Sequence, residues 1–229
     1  IITETDYSEK FLRERFPERA DRVHRIYNGL SLAEFGRANF SSDPPLIVAI
    51  GRLIPKKGFA NLIRACALLV EHRTSFRCEI FGEGPLENQL RAQIEDSGLQ
   101  DLVRLPGTKP QHELRERLAG ASAFALPSVP ESEGGMDNLP TVIMEAMATG
   151  LPVVSTRIGG IPEMIIDNET GFLVESHDIV TLAGAIEKVT NDRSLGQRLG
   201  RAGYERAQRL FSIEKNVREL CAWLGANMA

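Results

Sequence analysis

Cysteine is scarce, tryptophan occurs once, and long apolar runs are missing. The 229 residues hold three cysteines, Cys66, Cys78 and Cys221, odd in number and widely spaced among apolar neighbours. That pattern argues against a disulfide framework or a metal cluster and reads as buried free thiols in a reducing compartment. No apolar stretch nears the ~18 residues that span a bilayer, so a transmembrane segment is not expected. Positive charge is not in excess either: 27 Lys and Arg stand against 31 Asp and Glu, a formal net charge of −4. Nucleic acid is therefore not an expected partner. The four histidines, His24, His72, His112 and His177, lack metal spacing, and no Ser-His-Asp or Cys-His arrangement suggests itself. His72 and His112 fall on polar stretches and read as surface residues.

What is present is ordinary globular material, 42% hydrophobic and 25% charged, enough for one large domain or one domain with appendages. From residue 46 onward a short apolar strand, a glycine or proline, and an amphipathic helix recur. Strands are expected at Leu46–Ile50, Phe76–Phe81, Val103–Leu105, Ala123–Leu126, Val153–Ser155 and Phe172–Val174. Helices are expected at Phe59–Glu71, Leu86–Asp96, His112–Leu118, Thr141–Ala148 and Ile179–Val189. Continuous apolar strands alternating with helices specify an α/β protein with a Rossmann-like, doubly wound parallel sheet covered on both faces. Ligands then belong at the carboxyl ends of the strands.

Residues 1–27 lie outside that core and read strand, helix (Ser8–Phe16), strand (Val23–Ile26). A linker over 28–45 follows, the core domain occupies 46–210, and the tail 211–229 ends the chain. The tail is helical by periodicity over Ile213–Leu224, with Val217, Leu220, Cys221 and Leu224 on one face, and Phe211 and Trp223 are expected to dock it. Ile1-Ile2-Thr3 looks like the end of a strand whose beginning is missing, and no initiator Met opens the sequence. A piece of a longer polypeptide, located in the cytoplasm, is the expectation.

Four loops can carry chemistry. Gly51-Arg52-Leu53-Ile54-Pro55-Lys56-Lys57-Gly58 joins the first core strand to its helix, where N–H groups and the helix dipole face an anion. Arg52 can grip phosphate oxygens in pairs, and Lys57 adds a point charge. The same letters also suit a solvated basic turn. Phe81-Gly82-Glu83-Gly84-Pro85 permits close backbone approach at the next strand end, although glycines in such turns are often only structural. The long loop Pro127–Pro140 leads into the helix bearing Glu145, with Asp137 eight positions before that acid. Asn138, Leu139, Pro140 and Thr141 stand at the helix start, whose free N–H groups can hold a phosphate or a sugar hydroxyl. Glu145 leans toward the same mouth, because helical side chains point N-terminally. A capped helix whose acid is paired with a basic neighbour is the plainer reading. Gly159-Gly160-Ile161-Pro162-Glu163 forms the fourth loop, with Glu163 in a supporting role.

Together these stretches, with Asn168-Glu169-Thr170-Gly171-Phe172-Leu173-Val174, resemble the retaining glycosyltransferase family 4. The likeness covers about residues 45–210, the nucleotide-sugar donor half of a GT-B enzyme. Residues 1–27 resemble the end of the acceptor domain, Tyr27-Asn28-Gly29-Leu30 with Phe35 its interdomain hinge, and the last helix the one that crosses back. The resemblance implies that Arg52 and Lys57 hold the donor diphosphate, that Glu145 accepts ribose hydroxyls, and that Asp137 touches the donor sugar beside Asn138, Leu139, Pro140 and Thr141. Gly51, Gly82 and Glu83 line the donor cleft, and Arg104 and Leu105 border the base. It implies no cofactor and no metal, a UDP-sugar or GDP-sugar as donor, and a glycan or lipid-linked acceptor reached through the absent domain. Peripheral attachment at the inner membrane face of the full-length protein is a further implication. The phrase Gly-Met-Asp-Asn-Leu-Pro looks most like capsular and exopolysaccharide enzymes of bacteria. One departure is Asp137, where the family usually carries glutamate. A non-catalytic nucleotide-sugar-binding module is the alternative of a different class, and a GT-B nucleotide-sugar epimerase the alternative within enzymes.

Overall fold

A computed structural model describes residues 1–131 and 134–227 of the chain. Ser132 and Glu133, inside the Pro127–Pro140 loop, and Met228 and Ala229 of the tail lie outside the described residues. The opening segment has β1 (Ile2–Thr3), α1 (Asp6–Arg15) and β2 (His24–Arg25), with the two short strands paired in parallel. Helix α1 starts two residues earlier than expected because Thr5 is its N-cap, its hydroxyl accepting the Ser8 N–H at 3.0 Å.

The core follows in alternation: β3 (Leu46–Ile50), α2 (Phe59–Glu71), β4 (Arg77–Phe81), α3 (Glu87–Asp96), β5 (Val103–Gly107) and α4 (Gln111–Gly120). Then come β6 (Ala123–Leu126), α5 (Thr141–Thr149), β7 (Val153–Thr156), α6 (Ile161–Met164), β8 (Gly171–Val174), α7 (Ile179–Asn191), α8 (Arg193–Leu210) and α9 (Ile213–Asn227). The six core strands make one sheet in the order β5-β4-β3-β6-β7-β8, every pair parallel. All residues of β3, β6, β7 and β8 are buried, which is why their sequences read as unbroken apolar runs. Helix α2 packs on α3 and α7, while α5 packs on α4 and α8, so helices cover both faces.

Three elements depart from the sequence reading. Strand β5 runs two residues past Leu105; Pro106 is tolerated because β5 is the edge strand, where a missing N–H can face solvent. Helix α6 sits where a loop was expected, opened by Pro162 in its first turn. On α9 the inward face is led by buried Asn216, one position before Val217, which is 49% exposed. Cys221 therefore turns outward, and only Cys66 and Cys78 are the buried thiols foreseen. Those two face each other, and a hydrogen bond from Cys66 together with burial pushes the Cys78 thiol well above its ordinary range. Phe211 is fully buried with its ring edge-on to Tyr27, and Trp223 stacks on His24, so both do dock the tail. His72 and His112 are exposed, as read.

Candidate functional site

The strand order reverses between β3 and β6, so the loops that leave these two strands diverge and a crevice opens between them. The β3 loop is held on its far side by the β4 turn: Gly51 N–H donates to Phe81 O at 3.0 Å and Leu53 N–H to Glu83 O at 2.9 Å. Gly82 N–H reaches Gly107 O at 3.0 Å, which ties in the end of β5. Toward the other side, Val129 N–H donates to Lys56 O at 2.9 Å, joining the β3 loop to the β6 loop. Gly58, at φ +66°, lies where the two loops cross; a Cβ there would stand 1.9 Å from Pro127 O. Only glycine fits that crossing.

Around this frame the structure gathers several residues singled out from sequence. Lys57 Nζ donates to both oxygens of the Asp137 carboxylate, at 3.0 and 2.9 Å, and Ser128 Oγ donates to Oδ2 at 2.6 Å. Lys56 Nζ stands 4.0 Å away. The pair is well sealed, with Lys57 14% and Asp137 7% exposed at the side chain. Ser128 is itself anchored, fully buried and with its carbonyl accepting Thr156 Oγ1 at 2.5 Å. Arg52 is exposed and forms no hydrogen bond or ion pair among the described residues.

Helix α5 begins beside that pair. Its N-cap, Pro140, offers no side-chain acceptor, and the N–H groups of Asn138, Leu139, Thr141 and Val142 donate to nothing among the described residues. The first turn therefore presents unpaired donors and the positive end of the helix dipole. Glu145, in the second turn, is half-buried and accepts no hydrogen bond among the described residues. Burial pushes its carboxyl above the usual range, and the charge of Arg115 on α4 partly opposes this. An acid so placed lacks a hydrogen-bonding partner, and a ligand hydroxyl would supply one.

Gly51, Arg52, Gly82 and Glu83 line a cavity of about 220 Å³ at the carboxyl ends of β3 and β4, together with Ile50, Phe81, Thr108, Lys109 and Leu114. Arg104 and Leu105 are not brought there. They lie inside β5, before its end, where Arg104 is exposed and Leu105 buried, and they line a separate cavity of about 760 Å³ at the sheet edge. The larger cavity is bordered by interleaved acids and bases with no convergence on the α5 terminus. Thr108 and Lys109 take the place expected of Arg104 and Leu105, because β5 is two residues longer than its apolar letters.

Asn138 also differs from expectation. Its amide oxygen accepts Thr5 Oγ1 at 2.9 Å and its amide N–H donates to Glu4 Oε1 at 3.3 Å, so the side chain turns to the opening segment and away from the crevice. Glu163 accepts the N–H groups of Asp6 and Tyr7, both at 2.8 Å, and the Tyr27 hydroxyl at 3.1 Å. Ser128 and Glu163 were not assigned these contacts from sequence; no local pattern marks a residue whose partner is distant in the chain. Among the described residues no group of His, Cys, Asp or Glu is arranged to hold a metal ion. No helix among them is long and apolar enough to cross a membrane.

Residues 33–206 match the family described as "Glycosyl transferases group 1". The amylovoran biosynthesis glycosyltransferase AmsK of Erwinia amylovora is 42% identical over 148 residues, which are 65% of this chain and 36% of AmsK. Matches to three such curated relatives cover 41%, 35% and 36% of their lengths, so the chain aligns with less than half of each. Among solved structures, sucrose-phosphate synthase from Thermosynechococcus elongatus superposes with a TM-score of 0.84 at 27% identity, over 98% of this chain and 58% of that one. HepE of Anabaena in complex with UDP gives a TM-score of 0.86 at 22% identity, over 98% of this chain and 63% of that one, a likeness of fold.

Proposed function

The chain belongs to the group 1 glycosyl transferases, and on that premise we propose that it is the donor-binding half of a retaining family 4 enzyme. The enzyme moves a hexose from a UDP- or GDP-sugar to a glycan or lipid-linked acceptor in bacterial polysaccharide synthesis. The biosynthetic role of AmsK in its printed name supports that class of product. The observation that carries the reading is the unpaired first turn of α5, with exposed Arg52 and the Lys57–Asp137 pair across the switch point.

The donor diphosphate lies against the N–H groups of Asn138, Leu139 and Thr141, with Pro140 fixing the entry to the helix. Arg52 grips the phosphates from the opposite loop. Lys57 spends two of its three N–H donors on Asp137 and keeps one for a phosphate oxygen. These fixed cations neutralise the charge that leaves with the nucleotide, which serves a metal's electrostatic role without a metal. Glu145 accepts the ribose hydroxyls, Asp137 reaches the donor sugar, and the base lies in the cavity by Gly51, Gly82, Glu83, Thr108 and Lys109. Acceptor recognition belongs to a further domain, so this chain alone binds donor and transfers sugar poorly.

Calorimetric titration with UDP, GDP and ADP, first without metal and then with magnesium, tests this reading. Metal-independent binding of one nucleotide supports it and names the base. Absence of binding to all three overturns it. Arg52→Ala is expected to weaken UDP or GDP far more than uridine or guanosine; an equal loss for both would remove Arg52 from the diphosphate.

A further inference from the structure

We infer that the opening segment, residues 1–27, is a positioning element for the donor loop, acting through the Thr5–Asn138 hydrogen bond. The inference rests on the reading of the α5 terminus as a diphosphate site. Thr5 is fully buried, and its hydroxyl does two compatible things: a lone pair accepts Ser8 N–H at 3.0 Å, and the single proton goes to Asn138 Oδ1 at 2.9 Å. Asn138 is held on two further sides, by Glu4 through its amide N–H and by Gly160 N–H, which donates to its carbonyl at 2.9 Å. Nothing larger than glycine fits at 160, since a Cβ there would stand 2.4 Å from both Asn138 O and Thr5 Cγ2. The three residues are thus in direct contact.

A second anchor holds the segment in place. The Glu163 carboxylate caps the N-terminus of α1 by accepting two main-chain N–H groups, where the helix dipole favours negative charge. Tyr27 adds a third bond, and burial together with the neighbouring charge of Glu163 raises its pKa, so the hydroxyl keeps its proton. Two loops of the core, one carrying Asn138 and one carrying Glu163, therefore grip the same end of α1.

The consequence lies one residue downstream. Asn138 directly precedes Leu139-Pro140-Thr141, whose unpaired N–H groups are the proposed phosphate donors. Pinning its side chain and its carbonyl sets the direction in which those N–H groups point. Thr5 touches no substrate; it orients groups that do. Movement of the opening segment would thereby be felt at the diphosphate.

The 229-residue chain and four variants, Thr5→Val, Thr5→Ser, Asn138→Ala and the Thr5→Val/Asn138→Ala double, are titrated with UDP and GDP, with melting temperature recorded for each. Arg52→Ala is run alongside. Thr5→Val and Asn138→Ala are each expected to weaken binding about tenfold, the scale of one lost anchoring hydrogen bond. Thr5→Ser retains the affinity of the unaltered chain, and the double variant is no weaker than the weaker single, the mark of residues acting as one unit. An affinity untouched by Thr5→Val, with only the melting temperature lowered, reduces Thr5 to a helix cap and overturns the inference. Additive losses overturn it as well. Absence of binding by the unaltered chain, or binding indifferent to Arg52→Ala, removes the donor-site reading itself and the inference with it. Dependence on Arg52 without dependence on Thr5 removes the inference alone.

Discussion

At Glu145, burial raises the carboxyl above the ordinary range while Arg115 pulls it back. Its folded pKa exceeds its unfolded value, so between the two the native state holds the extra proton. Stability then falls as pH rises through that window, and above it the uncompensated charge is a standing cost. Glu145→Gln is expected to raise the melting temperature at neutral pH and flatten that slope, while nucleotide affinity drops by the ~1.5–3 kcal/mol of lost charge-assisted hydrogen bonds. Unchanged affinity would reject the ribose role. Asp137 is the opposite case, an acid already satisfied by Lys57 and Ser128. Asp137→Ala strands a sealed ammonium and is expected to cost about 3–5 kcal/mol in denaturant unfolding. A loss below 1 kcal/mol would mean that water already reaches Lys57.

At the scale of elements, the two loops of the switch point act as one piece because they cross at Gly58 with no space to spare. Gly58→Ala sets a Cβ against Pro127 O in a backbone region that side chains avoid. The β3–α2 turn must then separate from the β6 loop. The expected outcome is a steep fall in melting temperature and loss of nucleotide binding together. A variant that melts normally yet no longer binds would limit the damage to the loop. Strand β5 and helix α6 show where reading elements from letters stops working. Pro106 and Gly107 punctuate a sequence, yet at a sheet edge both extend the strand, which moves the cavity lining from Arg104 and Leu105 to Thr108 and Lys109. A one-turn helix such as α6 has too few residues for any periodicity to show.

Over the whole molecule, the tail closes back on the beginning. Asn216, 5% exposed, donates through one amide group to the carbonyls of Tyr27, Asn28 and Leu210 at 3.0, 3.2 and 2.9 Å. Leu30 and Ser212 form a bridge, and Phe211 fills the space beside Tyr27. Asn216→Ala leaves buried carbonyls without their donor and is expected to cost about 1–3 kcal/mol, read as a lower melting temperature. An unchanged melting temperature would show that the tail contributes nothing to holding the opening segment.

The sequence by itself determined the layered α/β core, because strands buried on both faces must be continuous apolar runs and their helices must carry apolar stripes. It also located the loops at the carboxyl strand ends, since glycine, proline and charge cluster where backbone must turn and face solvent. Arg52, Lys57, Asp137 and Glu145 stood out on the same ground, as charged residues beside apolar elements. Only the tertiary structure decided what these groups touch. Lys57 meets Asp137 across 80 positions, Thr5 meets Asn138 across 133, and Asp6 meets Glu163 across 157. No local spacing encodes such pairs. They arise from the reversal of strand order at β3 and β6 and from the docking of the opening segment. A hydrogen bond depends on where two chain segments arrive, and that is set by the packing of the whole core.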